Sequence, residues 1–231
     1  MDVAIAEALA NPNRMETDRQ RDPLRKPDQV LSFFEIKPGM RVLDLFSGGG
    51  YYTEIVSRVA GPDGSVVSQN NQAYMDYVND EVSKRYSSGR LANVEQMVVE
   101  GNNIELADNS IDATLAILTW HDFYYEDIQY NWHKVDVALL LSKLCKAMKP
   151  GAVLGIIDHV AESGVDAEKA GKDLHRADPQ RVKDDLEGSC FVLEAESMIL
   201  HNPDDDTELV AMDPSVRGKT DRFILKYRRI R

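Results

Sequence analysis

The stretch Arg41-Val42-Leu43-Asp44-Leu45-Phe46-Ser47-Gly48-Gly49-Gly50-Tyr51-Tyr52-Thr53-Glu54, followed by a helical pattern up to residue 60 and by Gly61, decides the fold. A short β-rich run, a glycine loop and a helix in immediate succession place a ligand at a helix N-terminus, beyond the carboxyl end of a strand. Glycine is needed in such a loop because a side chain would hold the ligand away from the backbone. The dinucleotide fingerprint requires a further glycine three positions after Gly50, where this chain has Thr53. Asp44, at the strand end, offers a carboxylate to an ammonium group rather than to a pyrophosphate. A cationic amino-acid moiety therefore fits the loop better than a nicotinamide dinucleotide.

Outward from this stretch, strands and helices alternate. Strands are expected over residues 64–69, 94–99, 111–118 and 152–157, and helices over 74–85 and 135–148. Asp178-Pro179 reads as an N-cap with proline at the first helical position, opening a helix to about 187. Residues 191–197 and 222–227 supply two last strands with no obvious helix between them, so they should pair antiparallel at one edge. The expected fold is a Rossmann-like α/β domain, a mainly parallel seven-stranded sheet with helices on both faces and an antiparallel last strand. Upstream, residues 2–10 read as a helix stopped by Asn11-Pro12, and a polar, arginine-rich stretch from 14 to 26 follows. Residues 1–27 are thus expected to be a helical or irregular extension, a lid or an arm, and 28–231 the ligand-binding domain.

The run from Val42 to Gly50 resembles the first motif of class I S-adenosylmethionine-dependent methyltransferases, and Lys149-Pro150-Gly151 before the fifth strand is similar to that superfamily's stretch after its fourth helix. Arg25-Lys26-Pro27, Gly48 to Glu54, His121-Asp122, Asp158-His159, His175-Arg176 and Arg217 to Phe223 further resemble a bacterial group of methyltransferases whose substrate is not established. The resemblance implies S-adenosylmethionine as cofactor and S-adenosylhomocysteine as product. It implies cofactor contacts at Asp44, Phe46, Ser47, Gly48, Gly50, Tyr52, Thr53, Gln69, Asn70, Asn102, Asn103 and Trp120. Three positions depart from the superfamily's pattern. Phe46 stands at the usual first glycine, Gln69-Asn70 where an acidic residue grips the ribose, and Asn102-Asn103 where an aspartate meets adenine.

Methyl transfer from a sulfonium is an in-line displacement, so groups that align the acceptor and take its proton belong at the carboxyl ends of the fourth and fifth strands. His121, His159 and His175 are the candidate catalytic residues. Tyr51, Asp122, Tyr124, Tyr125, Asp158 and Arg176 are the candidate acceptor contacts. Histidine and carboxylate are also metal ligands, but their spacing matches no compact motif and no metal is expected.

A net charge of -12 argues against a broad polyanion surface, because nucleic-acid affinity rests on lysine and arginine. The dense basic patch, Lys226, Arg228, Arg229 and Arg231, is expected to be a solvated strand end, and Asp204-Asp205-Asp206 a solvated loop. Asp221 and Arg222 are placed to form an ion pair within a structural staple. Cys145 and Cys190 sit in apolar settings and are expected to be free, with a disulfide framework unfavoured. No stretch is apolar enough to span a bilayer, and the N-terminus lacks the marks of a secretory signal. A cytoplasmic protein acting on a small molecule is expected, without nucleic-acid or membrane partners, its apolar first helix suited to a homodimer contact or to a lid. The leading function is methyl transfer to a small-molecule acceptor with a loop histidine as base. The alternative is a catalytically silent protein that binds S-adenosylmethionine or S-adenosylhomocysteine. An oxidoreductase is disfavoured by Thr53.

Overall fold

In the strand that enters the glycine loop, β1 (Arg41–Leu45), alternation sorts side chains between two layers. Leu43 and Leu45 join one core cluster and Val42 joins the other, because successive strand residues point to opposite faces. The computed structural model describes residues 2–230, the side chain of Ser88 excepted; Arg231 of the basic patch and Met1 lie outside them. The remaining elements are α1 (Val3–Ala10), α2 (Glu16–Arg19), α3 (Asp22–Arg25), α4 (Pro27–Phe33), α5 (Tyr51–Ala60), β2 (Ser65–Asn70), α6 (Gln72–Tyr86), β3 (Val94–Val98), β4 (Ile111–Ile117), α7 (Val137–Ala147), β5 (Met148–His159), α8 (Ala167–Lys169), α9 (Pro179–Leu186), β6 (Phe191–Ser197) and β7 (Arg222–Arg229).

The seven strands run in the order β3-β2-β1-β4-β5-β7-β6. Pairs from β3 through β5 are parallel, and β7 is antiparallel to both β5 and β6. The expected sheet is therefore observed, with β7 inserted inside the edge strand β6. One layer packs α1, α4 and α5 through Ile5, Val30, Leu31, Phe34, Ile55 and Val56. The other packs α7 and α9 through Leu140, Leu144, Val182 and Leu186. Gly155 of β5 lets Phe34 lie against the sheet, since a Cβ there would stand 2.8 Å from the ring.

Several expectations change. The fifth strand begins at Met148 rather than at residue 152, because Met148 pairs with Ile111 and the Lys149-Pro150-Gly151 turn is absorbed as an irregularity. Cys145 and Cys190 are not free: α7 and the approach to β6 bring their Cα atoms to 5.9 Å and the sulfurs are bonded. Asp205 is not solvated but buried against Arg176, at 2.7 Å. Asp221 accepts from His201 and from the Asn202 amide, while Arg222 donates to the carbonyls of Leu24, Gly218 and Thr220, so the two do not pair. In the basic patch, Lys226 and Arg228 both reach Glu35 and Glu194. Among the described residues, no helix is long and apolar enough to cross a membrane.

Candidate cofactor and acceptor site

β1 and β4 are neighbours whose following connections diverge, β2 lying to one side and β5 to the other, and a crevice at such a switch point is where open α/β sheets bind ligands. Gly50 adopts a left-handed conformation (φ +81°) as the N-cap of α5, a backbone that favours glycine. Behind it, Asp44 is buried and accepts a 2.5 Å hydrogen bond from the Thr53 hydroxyl. Burial pushes its carboxyl up to about 6 against the opposing effect of Thr53. Among the described residues Asp44 has no ion-pair partner within salt-bridge distance, and the positive charge that acts on it is that of Arg85.

The rest of this rim is paired within the protein. Gln69 accepts from the Phe46 amide and donates to the Val99 carbonyl. Asn70 brackets Gly48, accepting from its amide and donating to its carbonyl. The Ser47 hydroxyl meets Ser68 at 2.7 Å. Asn102 ties the Lys134 carbonyl to the Asp136 amide, while Asn103 is exposed. Phe46 contributes a ring to an aromatic cluster, 5.2 Å from Phe123 and 6.1 Å from Trp132, which joins the glycine loop to the segment after β4.

Sequence reasoning missed what lies over the glycines. Tyr74, Glu81 and Arg85, a helical stripe on α6, occupy the space that Cβ atoms at Gly48, Gly49 and Gly50 would need. Arg85 is fully buried, donates to the Gly49 carbonyl and pairs with Asp18 at 2.7 Å and Glu54 at 2.6 Å. Asp18 belongs to α2, so the N-terminal segment is latched across the loop. Burial disfavours the Asp18 carboxylate, but Arg85 and Arg21 outweigh it and hold its carboxyl below the usual range. The spacing 74, 81, 85 was a readable signal of one helix face, but not of what it covers.

Tyr51 and Tyr52 also serve this closure. The Tyr51 hydroxyl donates to Asp22 at 2.6 Å while Arg25 lies over its ring, and the Tyr52 hydroxyl reaches the Arg25 carbonyl at 3.4 Å. Trp120 and Tyr124 point to α9, both donating to Asp185. Arg176 is buried, its guanidinium donating to Asp205 and to the Leu209, Val160 and Asp206 carbonyls. These five residues form the walls and braces of the region.

The predicted histidines do come together. His121 and Asp122 follow β4, Asp158 and His159 end β5, and the His175 ring lies 5.4 Å from that of His121, with His159 at 6.2 Å. His121 Nδ1 is 2.8 Å from Asp158 Oδ1, and its amide donates to Asp158 Oδ2. Its Nε2 lies 3.3 Å from Asp122, which also accepts from the Tyr125 hydroxyl. Burial alone would lower the His121 pKa, yet Asp122 and Asp158 outweigh it and raise it to about 9. His159, bonded to Thr220 at 2.6 Å, goes the other way, held neutral by burial and by the positive charge of His121. The cluster therefore sets an imidazole whose charged form is favoured beside one whose neutral form is favoured. A cavity of about 260 Å³, lined by Lys26, His201, Lys219, Thr220 and Arg222, lies beside it, Thr220 being shared with His159.

The family model of protein-L-isoaspartate(D-aspartate) O-methyltransferase (PCMT) matches residues 24–103. Over 137 residues the chain is 26% identical to the ubiquinone/menaquinone biosynthesis C-methyltransferase UbiE of Saccharophagus degradans, a match covering 58% of this chain and 49% of that protein. The chain thus spans about half the length of the curated relative it matches. Its fold matches a SAM dependent methyltransferase from Aquifex aeolicus with a TM-score of 0.63 and 23% identity, over 100% of both chains. It also matches geranyl diphosphate C-methyltransferase from Streptomyces coelicolor A3(2), with a TM-score of 0.61 and 12% identity over 96% of this chain and 84% of that one.

Proposed function

We infer the function from one premise: by fold and by sequence match, the chain belongs to the class I S-adenosylmethionine-dependent methyltransferase superfamily. On that premise we propose that it binds S-adenosylmethionine at the glycine loop and methylates a small-molecule acceptor held at the histidine cluster. The observation that carries this reading is the placement of both sites on one end of the sheet, joined by the Phe46–Phe123 contact. Asp44, Phe46, Ser47 and the loop glycines would hold the cofactor, the unpaired buried carboxylate of Asp44 meeting its ammonium group. The bound cofactor supplies an electrophilic methyl group.

The protein's own residues do the rest. His121, fixed by Asp158, orients the acceptor through charge. His159 is the neutral group that takes its proton, and the aromatic wall of Phe46, Phe123 and Trp132 excludes water. Such a division of charge between neighbouring groups is how acid and base roles are separated in one site.

Formation of S-adenosylhomocysteine by the purified protein, screened across small acceptors bearing hydroxyl, amine, thiol or activated carbon groups, tests the proposal. Turnover with one acceptor, reduced at least about a hundredfold in His159→Ala, is the expected result for a lost proton acceptor. Tight binding of the cofactor with no turnover across the screen would favour the silent binding protein. That reading draws on the covered glycine loop and on the Gln69 and Asn70 amides already spent within the protein.

The expected cytoplasmic setting belongs to the same proposal. A reducing compartment would keep Cys145 and Cys190 as thiols. Alkylation of both in freshly lysed cells supports that setting, and recovery of the bonded pair points to an oxidising one.

A further inference from the structure

We propose that His121, Asp122 and His175 bind a divalent first-row transition-metal ion, a property that does not depend on methyl transfer. Nε2 of His121 and Oδ1 of Asp122 are 3.3 Å apart, Nδ1 of His175 is 3.9 Å from the same oxygen, and the three ligand atoms lie within 4.8 Å of one another. Ligands about 2.1 Å from a tetrahedral zinc ion sit about 3.4 Å from each other. His121 and Asp122 already have that separation, and His175, on a half-exposed loop, needs to move inward by about an ångström to complete it.

The surroundings are those of a ligand set rather than of a chance cluster. Asp158 is fully buried and holds Nδ1 of His121, so Nε2 is the coordinating atom, and an ion bound there replaces the proton that otherwise gives His121 its charge. A carboxylate on the far nitrogen of a ligating histidine fixes its tautomer and raises its basicity. Asp122 is held twice, through its carboxylate by the Tyr125 hydroxyl at 3.1 Å and through its carbonyl by the Trp132 indole at 3.0 Å.

The backbone that delivers the third ligand is the end of a rare helical form. His175 has φ +52° and ψ +50°, the left-handed conformation in which a helix end turns its chain. It caps a five-residue π-helix (Ala170–Leu174), a form that recurs at functional sites. That π-helix is pressed on the His121 segment, since a Cβ on Gly171 would collide with the His121 carbonyl oxygen. This packing leaves the His175 imidazole facing Asp122.

Two imidazole nitrogens and one carboxylate oxygen suit zinc, cobalt, iron or manganese and leave positions open for water or substrate. Magnesium and calcium prefer oxygen ligands throughout. The site would therefore take a ligand with an oxygen or nitrogen donor.

The test uses untagged full-length protein, stripped with chelator and dialysed against zinc or cobalt chloride. Plasma mass spectrometry should find one metal per chain, and the cobalt form should show visible d–d bands of a tetrahedral or five-coordinate ion. His175→Gly, which keeps the left-handed backbone, and Asp122→Asn should each lose the bound metal while far-ultraviolet circular dichroism is unchanged. Asp158→Asn should weaken affinity about 10- to 100-fold. His133→Ala, at an exposed histidine elsewhere on the surface, should bind as the parent does. Substoichiometric metal in the parent protein, or full retention in His175→Gly, overturns the assignment. Neither outcome bears on the cofactor, because binding is read without it.

Discussion

The two halves of the carboxyl end of the sheet treat their polar groups in opposite ways. Over β1 and β2, the amides of Gln69 and Asn70 are spent on the backbone and Arg85 is locked between Asp18 and Glu54. Over β4 and β5, three histidines and two aspartates converge, and two of the histidines are driven in opposite directions of charge. The first half is closed over by ion pairs from α2 and α6; the second gathers its titratable groups against one another. A cofactor that enters the first half must displace side chains of α6, whereas in the second half His121, Asp122, Asp158 and His159 are buried and His175 is the half-exposed member.

The largest expected effect is on the closed half. Arg85→Met leaves Asp18 and Glu54 as buried, partly uncompensated carboxylates, and should cost about 3 to 5 kcal/mol in urea unfolding. A loss below about 1 kcal/mol would show that the latch is open in solution and break the comparison. At the opposite, amino end of the sheet, where α7 ends and β6 begins, Cys145→Ser removes a cross-link spanning 45 residues. It should lower stability by up to about 4 kcal/mol in oxidised protein, on the loop-entropy estimate. Reduction of the parent protein should give the same loss.

Asp44 sharpens the comparison through pH. Its carboxyl is pushed up to about 6 in the fold, above the ordinary 3.8, so the folded state binds its proton more tightly than the unfolded state does. Its contribution to stability therefore falls as pH rises from about 4 through 6, by about 3 kcal/mol in all. Asp44→Asn should unfold at a higher urea concentration than the parent above pH 6, and match it near pH 4. A parent stability independent of Asp44 across this window would mean that the carboxylate already has a cationic partner. The smallest effect is at the sheet edge. Glu194, held at about 2 by Arg228 and Lys226, contributes stability above its ordinary 4.5 that is lost as pH falls through about 2. The pair is solvent-screened, so Glu194→Gln should cost less than about 1 kcal/mol at neutral pH.

The β1–glycine–α5 unit and the alternation of strands and helices were legible because period, glycine and caps are local signals. Asp178 caps α9 by accepting from the Gln180 amide, as its Pro179 neighbour suggests. The gathering of His121, Asp158, His159 and His175 was legible only through the fold, since each lies at a strand end or in the loop beyond it. What stayed hidden depended on partners distant in the chain. Arg85 meets Asp18 across 67 positions, and Arg176 meets Asp205 across 29. Neither carboxylate looks different in sequence from a solvated one. Cys145 and Cys190 are a second case: apolar surroundings suggested free thiols, and only the packing of α7 beside β6 pairs them.

The most direct measurement is a calorimetric titration of S-adenosylhomocysteine into ligand-free protein, beside Gly48→Arg, whose side chain would enter the space held by Tyr74. The account predicts saturable binding near one per chain in the parent and none in the folded variant. No heat with the parent, or equal binding by both, would contradict a cofactor site at the glycine loop.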